Sequence, residues 1–164
     1  MRRRIAAHEI PGPRLFVSGP FIQRAPYSPY EKDIRWGVQG PADAAAKVQK
    51  LLDAGVDFIK LIDQDQLTED EVRAVVETAH RAGKPMVAHA HREDEIRVGL
   101  KFGVDCFEHT GLATSPGYPE DILAGLRKRN QTLFWTPTVE GLFLAEYTAN
   151  RFPERLDWSQ VDLS

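Results

Sequence analysis

The chain is poor in cysteine, in long apolar runs and in charge of one sign, and each scarcity excludes a class of protein. Cys106 is the one cysteine among 164 residues, which leaves no internal disulfide framework and fits a reducing, cytoplasmic compartment. No stretch approaches the roughly 20 apolar residues of a membrane span, and no basic segment followed by an apolar one opens the chain. The 21 basic and 24 acidic residues leave a formal net charge of -3, and the cations are scattered, so neither nucleic acid nor an anionic membrane is an expected partner. Arg2-Arg3-Arg4 is the one basic cluster, too small for a polybasic patch, and reads as a solvated helix face. A composition 42% hydrophobic and 27% charged suits a globular protein with a buried core.

What the chain does have is a repeating alternation of helical and strand-like segments. Ala45, Val48, Leu51 and Leu52 share a helical stripe over 42–54, closed by Gly55, and a strand follows at 56–61. Thr68-Glu69-Asp70-Glu71 opens a capped helix over 68–82 that ends at Gly83, with a strand at 85–90. A third helix over 93–102 stops at Gly103 before a strand at 106–109. A weaker copy places a helix at 119–129 before a strand at 133–136, and 15–18 reads as a strand preceding the first full unit. Helical crossovers between short strands imply parallel pairing.

Two architectures accommodate about five such units: an open doubly wound sheet, or an incomplete (β/α)8 TIM-type barrel, whose complete form needs about 250 residues. Residues 1–164 then form a single partial domain. Residues 19–40, with three prolines, two tyrosines and a tryptophan, read as a long loop following a strand, either a binding loop or a surface loop packed by its own aromatics.

Alternation along each strand puts Phe58 with Lys60, Val87 with His89 and His91, and Phe107 with His109. Lys60, His89 and His109 close successive strands, the ends at which parallel α/β proteins build their sites, so the three are expected to converge. A buried lone ammonium at Lys60 is costly and demands an anion or a modification. Imidazoles with open positions suit zinc or another borderline divalent ion. His91, about 6 to 7 Å along the strand from His89, is assigned to substrate binding or to support of the ligands. Cys106 and Glu108, out of phase with His109, are expected to face the helices. Asp57 and Asp105, before their strands, are expected to bond nearby turn amides, and His8 and His80 to lie on the surface.

The ordered strings Ile10-Pro11-Gly12-Pro13-Arg14, Gly55-Val56-Asp57-Phe58-Ile59-Lys60, Val87-Ala88-His89-Ala90-His91 and Phe107-Glu108-His109-Thr110-Gly111 resemble the amidohydrolase superfamily, and most of all its imidazolonepropionase-like and prolidase-like branch. The resemblance runs from Ile10 to about Thr138. It implies barrel strands three to seven, with Lys60 carboxylated to a carbamate that bridges two divalent metals, usually zinc, and with His89 and His109 as further metal ligands. It implies hydrolysis of an amide, a dipeptide or a cyclic amide by a metal-activated water. The family's strand-one His-x-His pair and strand-eight aspartate have no counterpart here, so the expectation is a fragment inactive alone and prone to self-association. Two alternatives stand beside it: a non-catalytic metal-binding fragment, and an unrelated parallel α/β domain in which Lys60 forms a Schiff base or binds phosphate.

Overall fold

The computed structural model describes residues 1–109 and 118–136. Its centre is a six-stranded sheet in which every pairing is parallel: β1 (Phe21–Gln23), β2 (Arg35–Gly37), β3 (Ile59–Leu61), β4 (Met86–His89), β5 (Cys106–Glu108) and β6 (Phe134–Thr136), in the order β2-β1-β3-β4-β5-β6. The helices are α1 (Arg2–Ala6), α2 (Pro41–Asp53), α3 (Glu69–Arg81), α4 (Glu93–Phe102) and α5 (Glu120–Arg129). From β3 to β6 each strand passes through a helix to its parallel neighbour, the unit of an incomplete α/β barrel.

The helices form where the sequence places them. Thr68 caps α3 by accepting the Glu71 amide at 3.3 Å, while the Glu71 carboxylate accepts the Thr68 amide at 2.8 Å, a reciprocal pair that satisfies two amides of the first turn. Gly103 ends α4 in the left-handed region at φ 84°, where a side chain would be strained. The apolar stripes of α2 to α5 pack on one side of the sheet: Val48, Val72, Val75, Ile96 and Ile122 meet Ile22, Leu61, Ala88 and Phe107, all fully buried.

Two expectations are corrected here. Residues 15–18 form no strand; Val17 only exchanges hydrogen bonds with Asp57, whose amide donates to the Val17 carbonyl and whose Oδ2 accepts the Val17 amide, each at 2.8 Å. The strand in that position is β1. Residues 19–40 are not one loop but hold β1, a single 3-10 turn (Pro29–Glu31) and β2, segments of three residues, too short to carry a period. Arg2 is likewise more than a solvated charge, since its Nη1 pairs with Asp57 at 2.6 Å.

The register sorts the side chains. Neighbours directly paired in a parallel sheet share a face, so Ile22, Trp36, Leu61, Ala88, Phe107 and Trp135 point to the helices. Lys60, Val87, Cys106 and Phe134 occupy the opposite, inner face, as do His89, Glu108 and Thr136. This reverses the expectation for β5: Phe107 faces the helices, fully buried, and Cys106 and Glu108 face inward.

Candidate metal centre

His89 is the last residue of β4, His91 follows it by two, and His109 is the first residue beyond β5. His109 reaches the inner side despite the phase of its strand because its backbone turns left-handed, φ 62°. A residue with a Cβ is held there at a cost of about 1 to 3 kcal/mol and mostly where surrounding structure dictates it, often at a functional site. The three imidazoles gather as a result. His89 and His109 have ring centroids 4.7 Å apart, His89 and His91 5.1 Å, and His91 and His109 stack at 5.1 Å with only 3° between their planes. One nitrogen from each ring lies within 4.8 Å of the others.

Lys60 stands beside them on β3, 3% exposed. Its ammonium finds the anion that its burial demands in Glu108, two strands away on the same face. Burial nevertheless holds the Lys60 pKa below the ordinary lysine value, against the opposing pull of Glu108. The site in turn disfavours the charged forms of His89 and His109: burial, then the Lys60 charge and the two neighbouring rings, bring His89 down to about 3, and burial with Lys60 lowers His109. Burial pushes the Cys106 thiol up, which leaves it protonated and a poor ligand.

The imidazole nitrogens of His89, His91 and His109, converging at a strand-end cluster, fit a divalent metal of the zinc type. An ammonium at Lys60 does not, because it offers no lone pair; the residue joins a donor set only as the neutral amine or as an anionic derivative. Asp63, Asp65 and Glu95 form a second group of close carboxylates, but the Arg92 guanidinium pairs with all three, at 2.8, 2.6 and 3.1 Å.

Lys60, His89 and His109 thus share one face and one end of the sheet, and His91 lies as close to His109 as to His89. Sequence reasoning missed Glu108 as the partner of Lys60, although the chain carried the signal: Gly55 to Lys60 and Gly103 to Glu108 are the same interval in the repeated text. It also missed the cluster of Asp63, Asp65, Glu95 and Arg92, which has no periodic signature. Asp105 reaches past its own turn to the Met86 amide at 2.8 Å and to His80 at 2.7 Å. Thr110 and Gly111 of the histidine motif lie outside the described residues, as do Pro137 and Thr138.

Residues 1–161 match the sequence model of the Amidohydrolase family. Among solved structures, a prolidase complexed with N-methylphosphonate-L-proline is similar at a TM-score of 0.72 and 21% identity, over 94% of this chain and 43% of that one. A Xaa-Pro dipeptidase with methionine bound in its active site gives a TM-score of 0.70 at 22% identity, over 92% and 40%. The A. niger ochratoxinase gives 0.71 at 19%, over 88% and 40%. The chain therefore spans about two-fifths of the length of each of these structures. No curated protein matches it.

Proposed function

The chain belongs to the amidohydrolase family, and we propose that it forms the lysine-and-histidine part of the metal centre of a metal-dependent hydrolase acting on amide or dipeptide C–N bonds. The observation that carries this reading is the meeting of the partly buried His89, His91 and His109 beside Lys60, with the pKa values of His89 and His109 lowered. In this reading His89 and His109 would hold the metal, and Lys60 would join the donor set for zinc as a carbamate. Carbamate formation needs the neutral amine, which burial favours. The Lys60 nitrogen attacks the carbon of CO2, one C–O π pair moves to oxygen, and the nitrogen proton passes to solvent. A buried cation becomes a buried anion, so the attraction to Glu108 turns to repulsion and the carbamate requires cations of its own. The metal supplies a Lewis acid and a hydroxide near neutral pH.

His91 is assigned to substrate contact. Its stacking on His109 also supports a competing assignment as a third metal ligand. A proline-type dipeptide is the favoured substrate class, supported by the prolidase and the Xaa-Pro dipeptidase among the similar structures. The 164-residue chain alone is proposed to be inactive, because the strand-one histidines and the strand-eight aspartate of the family pattern have no counterpart in it. A cytoplasmic location belongs to the same reading, supported by the single cysteine.

The test is titration of the purified chain with Co(II), followed by its d–d absorption, and competition with zinc. Binding at micromolar concentrations or tighter, lost in His89→Ala and in His109→Ala and kept in His91→Ala, is the expected pattern. Equal loss in His91→Ala assigns His91 to the ligands. No binding in any form of the chain overturns the metal reading. Turnover of a proline dipeptide by the isolated chain, abolished by a chelator, overturns its proposed inactivity.

A further inference from the structure

The segment that carries two of the three imidazoles, His89 to Arg92, is fastened at its backbone by the side chains of neighbouring residues. Gln64 lies in the connection after β3 and is fully buried. Its Nε2 donates to the His89 carbonyl at 2.7 Å and to the Glu95 carbonyl at 3.0 Å. Glu95, also fully buried, accepts the His91 amide at 2.8 Å and the Arg92 amide at 2.9 Å on one oxygen. The Arg92 side chain then turns back to the β3 connection. It meets Asp63 at 2.8 Å and Asp65 at 2.6 Å through Nη2 and again at 2.9 Å through Nε. Asp63 is itself held left-handed at φ 51° and takes the Tyr27 hydroxyl at 2.5 Å.

Capping α4 alone would require only the Glu95 bonds to the two amides. The bond from Gln64 to the His89 carbonyl lies outside the helix, and so does the guanidinium bridge to Asp63. Both bind the histidine segment to the neighbouring strand connection. The same helix offers a contrast in Arg97, which also pairs with three carboxylates, Glu93, Asp94 and Asp121, at 2.7 to 3.0 Å. Those partners lie on the outer surface.

We propose that Gln64, Glu95 and Arg92 are positioning residues for the histidine centre, holding the His89–Arg92 backbone where the His89 and His91 rings can meet His109. The inference rests on the proposed metal role of the histidines. Its physical basis is preorganisation: an anchored segment is ordered during folding, whereas an unanchored one must be ordered when the metal binds. Removing such outer anchors typically weakens a metal site by about 10- to 100-fold.

The experiment measures the Co(II) dissociation constant and d–d spectrum of Gln64→Leu, Arg92→Ala and Arg97→Ala, with the melting midpoint of each metal-free chain. Gln64→Leu and Arg92→Ala are expected to bind about 10- to 100-fold more weakly, with an altered d–d band, and Arg97→Ala to bind as the unaltered chain does. Binding by both Gln64→Leu and Arg92→Ala within about twofold of the unaltered chain overturns the proposal while leaving the metal reading intact. So does a loss in Arg97→Ala as large as theirs, which would make the effect one of general stability. Should Gln64→Leu or Arg92→Ala fail to fold, Arg92→Lys decides: it keeps the charge but lacks the fork that reaches three carboxylates, and cobalt affinity unchanged in it refutes the role. An unaltered chain that binds no cobalt refutes the metal reading and this inference with it.

Discussion

Replacing one or the other member of the Lys60–Glu108 pair should change stability by different amounts. Lys60 is 3% exposed, and Glu108 is the hydrogen-bond acceptor its ammonium has in the structure. Removing one partner of a fully buried pair costs about 3 to 5 kcal/mol, whereas a fully exposed pair contributes about 0 to 1. The Glu108 side chain is 34% exposed, so water reaches one side of the pair, and Glu108→Gln should cost about 2 kcal/mol. In a chain of this size that lowers Tm by roughly 4 to 8 °C. Lys60→Met removes the buried cation and leaves Glu108 free to turn toward water, so its effect should stay within about 1 kcal/mol of zero. Glu108→Gln added to Lys60→Met should cost almost nothing more, a coupling of about 2 kcal/mol. Urea unfolding followed by circular dichroism in CO2-depleted, chelator-treated buffer at pH 7 measures all four corners of the cycle. Adding bicarbonate and zinc should shrink the Glu108→Gln deficit, since a metal-bound carbamate needs no carboxylate partner. Equal losses in Lys60→Met and Glu108→Gln, or a coupling below about 0.5 kcal/mol, would show that the pair is not what settles the buried lysine.

Other consequences concern the scaffold. Burial would raise the Glu71 pKa, but the Arg24 guanidinium and the amides of Thr68 and Gly40 outweigh it and bring it from 4.5 to about 2; the folded value lies below the unfolded one, so the stabilisation, at most about 3 kcal/mol, is present above pH 4.5 and fades as pH falls from there toward 2. Melting curves over that window should flatten in Glu71→Gln, and an unchanged slope would contradict the assignment. Gly99 lies on α4 where an added Cβ would sit 2.5 Å from Phe107 Cζ; Gly99→Ala should therefore destabilise by about 1 to 3 kcal/mol, although alanine ordinarily favours a helix, and a rise in Tm would refute the packing. The chain should self-associate through β2 and β6, which border the sheet among the described residues, and through Phe134, 72% exposed. Sedimentation velocity should show mass rising with concentration and falling back in Phe134→Lys, and a compact monomer at all concentrations would sink that expectation.

Most of the helices were legible because their signals are local. The 93–102 helix has the bounds read from its apolar spacing and from Gly103, and the Thr68 cap forms the reciprocal bonds its spelling implies. What escaped depended on partners far along the chain. A three-residue strand such as β1 gains its identity from pairing with β2 and β3 and from Ile22 entering the core, none of which leaves a period in so short a segment. The inner residues of β5 were misread because His109 was taken as continuing the strand. Its left-handed backbone breaks the alternation, so the residue read as the strand's last inward position is in fact a turn that returns to the same side. The convergence of His109 with His89 was thus anticipated through a phase that does not exist.

That misreading exposes how the two faces of the sheet divide their work. The helix-facing side is apolar on all six strands, Ile22, Trp36, Leu61, Ala88, Phe107 and Trp135, and the burial that stabilises the fold is concentrated there. The inner side carries Gln23, Arg35, Lys60, His89, Cys106, Glu108 and Thr136 among a few apolar residues. A polar inner face adds little to hydrophobic stability, so its residues can be set by the chemistry they perform. Had β5 kept the phase first read for it, Phe107 would stand among the imidazoles and Glu108 among the helices, and Lys60 would be left without its anion. The short left-handed turn at His109 resolves that conflict: Phe107 fills the core, Glu108 answers Lys60, and a third imidazole still reaches the centre.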